Sequence, residues 1–579
     1  MNLFADIRTR VIACLDQMVT EGTLPAGLST AGVSVEPPRD PAHGDMATNA
    51  AMVLAKPAQM NPRVIADALA VKLLAEPMIT IAEVAGPGFL NVRLDPTVWQ
   101  GVVKTVLSDP SFGQSTLGQN QRMLVEYVSA NPTGPLHVGH TRGAVFGDAL
   151  ARLLDYAGYD VTKEYYINDG GAQVDVLARS VYNRYLEAHD LSVDWPEGTY
   201  PGDYLIEVGE ALKAKVGDKF VGKGEQFWLE EVREFATEAM MDLIRADLKS
   251  LGVEMDSFFS EKSLYGTGLI EKAIAELDAK GLIYRGVLEP PKGKTPEDWE
   301  PREQTLFKST EHGDDVDRPV QKSDGAWTYF APDIAYHYDK VQRGYDQLID
   351  VFGADHGGYV KRMKAAVSAL SDGRVPLDIK LTQLVKLYKN GAPFKMSKRA
   401  GTFVTLRDVV DQVGPDVTRF HMLTRKNDAP LDFDFDKVLE QSKDNPVFYV
   451  NYAYARVNSA VAKASAFAKV DDVTLAGVDM SGLNHDAELN VIKKLAEWPR
   501  LVEIAAKGHE PHKIAFYLYD LASDFHALYH RGNDETALRF VQESDPDTTQ
   551  AKIALIRAVA IVILHGLGIL GVTPAEEMR

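Results

Sequence analysis

The sequence predicts an α/β protein: a parallel-sheet core, an α+β region before it and an all-α helix bundle after it. Three observations carry that expectation. Between about residues 116 and 440, short apolar runs rich in β-branched and aromatic residues alternate with segments whose apolar residues recur at helical spacing. Before about residue 115, strand patterns flank a Gly-Pro-Gly turn and sit beside helical ones, and from 441 onward the spacing is helical throughout. A chain of 579 residues with 45% hydrophobic content can build several cores, so boundaries are expected near 115 and 440.

Taken in order, residues 1–16 carry Asp6, Arg8, Arg10 and Asp16 among their apolar residues, which reads as an amphipathic helix rather than a secretory signal. Residues 37–49 form a loop leading into a helix, and 79–85 and 89–94 are strands around residues 86–88. The central region opens with the apolar run 123–128. The segment 129–143, SANPTGPLHVGHTRG, then breaks the strand with Pro132, Gly134 and Pro135 and enters a helix through Val145, Leu150, Leu153 and Leu154. Gly158 ends that helix, residues 161–167 are the next strand, and Asn168, Asp169 and two glycines turn the chain, which completes a βαβ unit of a Rossmann-like sheet. Residues from about 180 to 260 read as a helical insertion to which no chemistry is assigned, and 349–353 as a further buried strand. A connecting stretch spans about 402–440, and helices follow to the C-terminus, where the apolar run 558–570 is too short to span a bilayer and reads as buried.

In open parallel sheets, loops at the carboxyl ends of strands form the ligand crevice. His137 and His140 flank a helix N-terminus whose backbone N–H groups suit a phosphate, with Gly139 removing a side chain between them. Far downstream, residues 394–401, FKMSKRAG, place Lys395, Lys398 and Arg399 on a glycine-flanked loop able to clamp a triphosphate. Glycine and proline punctuate many turns, and a lone basic loop is usually just solvated; the pair is far more specific than either. In order and separation the two resemble the HIGH and KMSKS signatures of class I aminoacyl-tRNA synthetases.

The resemblance narrows to arginyl-tRNA synthetases of bacterial type. Residues 44–49 (GDMATN) and 86–91 (GPGFLN) resemble that family's N-terminal domain, which reaches the tRNA elbow. Residues 449–456 and 566–578 (GLGILGVTPAEEM) resemble its anticodon-binding domain, where Tyr449, Tyr452 and Arg456 are expected to meet tRNA. Residues 258–265 (FFSEKSLY) and 327–338 (WTYFAPDIAYHY) place Glu261, Tyr329 and Asp333 where the family holds the substrate guanidinium. A planar guanidinium is met by bidentate carboxylates and an aromatic face, which this set supplies. Without the resemblance, Glu261 would read as a solvated carboxylate and Asp333 as a helix cap after Pro332.

The resemblance implies arginine-tRNA ligation. Arginine and ATP give arginyl-adenylate and pyrophosphate, and arginine then passes to the 2′-hydroxyl of the 3′-terminal adenosine of tRNA(Arg). His137, His140, Lys395 and Lys398 are the expected catalytic groups. Gly139, Met396 and Ser397 join them in the ATP site, together with Asp355 and His356 on the loop after strand 349–353. Ser129 and Asn131 would hold the amino-acid head group, supported by Glu126. Arg399 stands where the second signature ends in Ser, while the second lysine is present. ATP enters as a substrate with Mg2+, tRNA is commonly needed before adenylate forms, and no editing domain is expected.

Composition excludes other classes. The 62 basic and 82 acidic residues give a formal net charge of −20, which argues against indiscriminate polyanion binding. Cys14 is the single cysteine, so an internal disulfide and a multi-cysteine zinc site are excluded, which fits a reducing cytoplasm; separately, a monomer without membrane attachment is expected. The same scarcity disfavours the cysteinyl synthetases, and a carboxylate pair is wrong for hydrophobic amino acids. A non-catalytic tRNA-binding descendant would show eroded signatures; both are intact.

Overall fold

The computed structural model describes residues 2–38, 40–288, 302–394 and 404–578. They fall into two compact units: one of Thr116–Glu440 with Leu570–Val572, the other of Met1–Ser115, Gln441–Ile569 and Thr573–Arg579.

The first unit is organised on five strands: β1 (Arg122–Glu126), β2 (Asp160–Ile167), β3 (Ser257–Ser260), β4 (Gln347–Gly353) and β5 (Leu377–Thr382). They lie in the order β5-β4-β1-β2-β3, and every pair is parallel. Chain direction across the sheet therefore reverses between β1 and β4, the switch point where such sheets bind ligands. Helix α1 (Val138–Tyr156) connects β1 to β2 and buries fourteen residues, including Val145, Leu150, Leu153 and Leu154. Helix α2 (Leu229–Ser250) lies in the insertion, and α3 (Phe330–Gln342) leads into β4.

The register places Glu126 directly across from both Glu164 of β2 and Asp350 of β4. Three carboxylates in a row on adjacent strands repel one another unless cations reach them. Helix α3 supplies the cations. Lys340 Nζ lies 2.5 Å from Glu126 Oε2 and 2.9 Å from Asp350 Oδ1, and Arg343 forks onto Glu164 at 2.6 and 2.8 Å. Lys340, Asp350 and Glu164 are fully buried.

The other unit pairs a four-stranded antiparallel sheet with helices from both ends of the chain. Strands Ile79–Ala85 and Phe89–Leu94 match the expected hairpin, while Met46–Thr48 is a strand inside a stretch expected to be loop. Gly113 adjoins the buried Trp498: an added Cβ would lie 2.0 Å from the indole nitrogen, and φ is +92°. Only glycine fits there. Helix Asp486–Gly508 runs through the buried Pro499. Pro546–Leu570 is long and apolar enough to cross a membrane by composition, yet 72% of its apolar window is buried inside the protein.

Two sheets escaped the sequence reading. Ile283–Gly286, Gln304–Phe307 and Arg318–Gln321 form an antiparallel sheet, and Val385–Lys389 pairs with Ala392–Pro393 and Leu431–Asp434. Most of these strands have four residues or fewer, too few to establish a period.

Candidate active site

The crevice begins where β1 ends. Val128 and Ser129 have φ of +71° and +40°, and the Ser129 N–H donates to Tyr127 O at 3.0 Å, closing a tight three-residue turn. Positive φ at a β-branched residue is strained, and local bonding must hold it. Ser129 Oγ donates to Glu126 Oε1 at 2.8 Å and accepts the Tyr166 N–H at 3.1 Å, while Asn168 Nδ2 donates to Ser129 O at 2.9 Å. With Lys340 on its other oxygen, Glu126 has both oxygens committed inside the protein and acts on the crevice through Ser129. Asn131, exposed on the loop, donates to Gln173 Oε1 at 2.8 Å.

His137 is the N-cap of α1. Its Nδ1 accepts the Gly139 N–H at 3.1 Å, the His137 N–H faces His140 Nδ1 at 3.3 Å, and the two rings stack with centroids 3.8 Å apart. A Cβ on Gly139 would sit 2.8 Å from His137 Cε1, so glycine makes room for the imidazole rather than only for a phosphate. The expectation of free N–H groups here is corrected: Val138 N–H donates to Val404 O, Gly139 N–H to His137, and His140 N–H to His137 O.

Val404 also carries a positional result. The segment leaving the second signature bonds to the first, through Val138 N–H to Val404 O, Leu406 N–H to Leu136 O at 2.7 Å, and a bridge between His137 and Thr405. Lys395, Met396, Ser397, Lys398 and Arg399 themselves lie outside the described residues.

The insertion braces the same turn from the opposite side. Asp247 of α2, 4% exposed, accepts the Leu136 N–H at 3.1 Å; burial pushes its carboxyl up to about 6, with that bond opposing. Tyr204 OH donates to Thr133 O at 2.8 Å, and a Cβ on Gly134 would come within 3.1 Å of the phenol oxygen. Neither residue carries a local sequence signal, since both bonds span 71 or more positions.

At the other end of the crevice stand Glu261, just past β3, and Asp333, in the first turn of α3. Tyr265 OH donates to Glu261 Oε1 at 3.1 Å and Tyr359 OH to Asp333 Oδ2 at 2.6 Å. Burial raises both carboxyls, Asp333 to about 6, with the Glu261 charge adding to the shift on Asp333 and the Tyr359 bond and His337 opposing it. Among the described residues neither has an ion-pair partner. Helix α3 begins at Phe330, so Pro332 sits inside the first turn rather than at a strand-to-helix break, and Asp333 is not the cap. Tyr329 is 86% exposed, beside Tyr265 in the field of these groups but not packed on a pocket wall. Asp355 and His356, on the turn after β4, are exposed and lie 3.6 Å apart.

Beneath the carboxylates lies a layer that the sequence reading did not find. His337 Nε2 is 2.9 Å from Asp350 Oδ2 and its Nδ1 2.8 Å from Asp333 O, so α3 ties the pocket to β4 through Lys340 and His337 together.

In the other unit, Arg456 stacks 4.0 Å from the Tyr452 ring and 4.4 Å from Tyr529, and donates to Tyr452 OH at 2.8 Å and to His526 Nδ1 at 3.0 Å. His526 Nε2 then donates to Tyr449 O at 3.2 Å, which fixes its tautomer; burial and the Arg456 charge hold its pKa down to about 4. Tyr449, Tyr452 and Arg456 are half-buried, while Tyr517 and Phe525 of the neighbouring helix are core.

The 3-2-1-4-5 parallel sheet carries its His-x-Gly-His turn in the loop after the first strand, and residues 102–434 match the family model for tRNA synthetases class I (R), catalytic domain, which places the chain among the class I aminoacyl-tRNA synthetases. Residues 5–94 match the arginyl tRNA synthetase N terminal domain and 450–578 the DALR anticodon binding domain. The arginine–tRNA ligase of Ruegeria pomeroyi is 74% identical over 581 residues, covering all of both chains. A solved Campylobacter jejuni structure, described as an arginyl-tRNA synthetase, is 33% identical over 84% of this chain and all of its own, with a TM-score of 0.71. The arginyl-tRNA synthetase of Thermus thermophilus, at 20% identity, shares the fold over 99% of this chain and all of its own, with a TM-score of 0.71. The chain belongs to the arginyl-tRNA synthetases, the ATP-dependent ligases that charge tRNA(Arg) with arginine.

Proposed function

We propose that the crevice divides its substrates between its two ends, with arginine's guanidinium between Glu261 and Asp333 and ATP over the His137–His140 turn. The observation that carries this reading is the pair of carboxylates, close enough that one raises the other, with no ion-pair partner among the described residues. A guanidinium satisfies both, because its planar N–H fork matches carboxylate geometry and it stays charged at any physiological pH. Tyr329 borders the site from outside. Ser129, oriented by Glu126, and Asn131 hold the head group.

From there the arginine carboxylate attacks the α-phosphate in line, a carboxylate-oxygen-to-phosphorus bond forms, and the bond to pyrophosphate breaks. Charge growing on the phosphate oxygens is met by His137, His140, Lys395 and Lys398, so catalysis is positioning and electrostatic stabilisation. In the second step the 2′-hydroxyl of tRNA attacks the arginyl carbonyl and AMP leaves. Mg2+ accompanies ATP on its phosphate oxygens; among the described residues no group of three or more His, Cys, Asp or Glu side chains is placed to hold a metal. Asp355 and His356 face the nucleotide, Tyr449, Tyr452 and Arg456 the anticodon arm, and the N-terminal domain the tRNA elbow. The enzyme works as a cytoplasmic monomer, without membrane attachment.

Arginine-dependent ATP–pyrophosphate exchange, with and without tRNA and with the other amino acids as controls, tests the reading. Exchange with arginine only when tRNA is present supports it. Exchange with another amino acid sinks the Glu261–Asp333 assignment and spares the class.

A further inference from the structure

We propose that Tyr166 contacts the substrate, its phenolic oxygen accepting an N–H of the arginine guanidinium. This rests on the pocket reading above. Tyr166 is the penultimate residue of β2, 6% exposed, with its ring 4.4 Å from Tyr336 and stacked 6.2 Å from Phe259. Its backbone N–H is the one that bonds Ser129, so it borders the head-group end as well.

Its hydroxyl is buried and has no hydrogen-bond partner among the described residues. Buried phenols ordinarily find partners, and the tyrosines around it do: Tyr165 with Ala130 O, Tyr336 with Glu164, Tyr265 with Glu261 and Tyr359 with Asp333. The charges acting on Tyr166 are Asp333, Glu261 and Glu126, which with burial keep the phenol neutral and its lone pairs intact. A guanidinium has five N–H groups, and two forked carboxylates take four. The fifth needs an acceptor wherever water does not reach it, and Tyr166 Oη is buried and uncommitted.

Tyr166→Phe removes that oxygen alone. The expected result is a rise of about tenfold in KM for arginine in tRNA-dependent ATP–pyrophosphate exchange, with KM for ATP and tRNA unchanged. The Tm of the unliganded enzyme should hold or rise, because the lost hydroxyl made no bond there. An unchanged KM for arginine overturns the proposal. So does a fall in Tm with matching losses for every substrate, which marks a packing role. Glu261→Gln is measured in parallel: if it raises KM for arginine and Tyr166→Phe does not, Tyr166 alone is misassigned; if neither does, the pocket reading fails with it.

Discussion

The two ends of the crevice are built in opposite ways. The His137 turn has a local kernel: cap, glycine and second imidazole lie within four residues and bond across two or three positions, while Asp247, Tyr204 and the Val404–Leu406 segment brace the loop around them. The carboxylate end is assembled from residues 126, 164, 261, 333, 337, 340 and 350, contributed by four strands or strand ends and one helix. A local device can be removed with little effect on the fold. A device spread over the sheet holds the fold and the substrate site at once.

The largest expected effect breaks the distributed end. Lys340→Ala leaves Glu126 and Asp350 facing each other, buried, without their shared cation. Removing one partner of such a group costs about 3–5 kcal/mol, so urea denaturation should show a loss of that size. A variant as stable as wild type would mean that the strand register tolerates the carboxylate row without α3.

The local end should behave otherwise. Gly139→Ala puts a methyl 2.8 Å from His137 Cε1, so the imidazole must leave its stack on His140 and its bond to the Gly139 amide. Alanine favours a helix by about 1 kcal/mol over glycine, so stability holds, while kcat should fall about 100-fold from misplacement at the reacting phosphate. Loss of stability without loss of kcat would reverse the contrast.

That contrast also explains what was legible in the sequence. A parallel sheet follows from alternating strand and helix patterns, and the His turn from punctuation packed into fifteen residues, whereas the strand order is visible only in the fold. Glu261 and Asp333 were reached through family resemblance, since nothing local separates them from solvated carboxylates. Lys340 and His337 were missed because a lysine on an amphipathic helix reads as exposed, and only the register of β1, β2 and β4 shows why one must be buried. Asp247 and Tyr204 escaped for the same reason: their partners, Leu136 and Thr133, lie in another part of the chain. Tyr329 shows the converse: the resemblance sets it at the guanidinium, and its ring is 86% exposed.

A pH series sharpens the comparison with the smallest effect. Burial first, then Glu261, pushes Asp333 up to about 6 against the Tyr359 bond and His337. Below that pH the carboxyl is protonated and cannot ion-pair with a guanidinium, so kcat/KM for arginine should fall by up to about tenfold per pH unit. Stability of the unliganded enzyme runs the other way. The folded state, with its carboxyl near 6, binds this proton more tightly than the unfolded chain near 3.8, so the contribution of Asp333 to folding rises as pH falls between those values. Asp333→Asn abolishes that term, and the wild-type-minus-variant stability difference, measured by urea denaturation across the window, should shift toward wild type at the acid end. A flat difference would mean that Asp333 is solvated like any surface carboxylate, and the distributed end would then owe its affinity to Glu261.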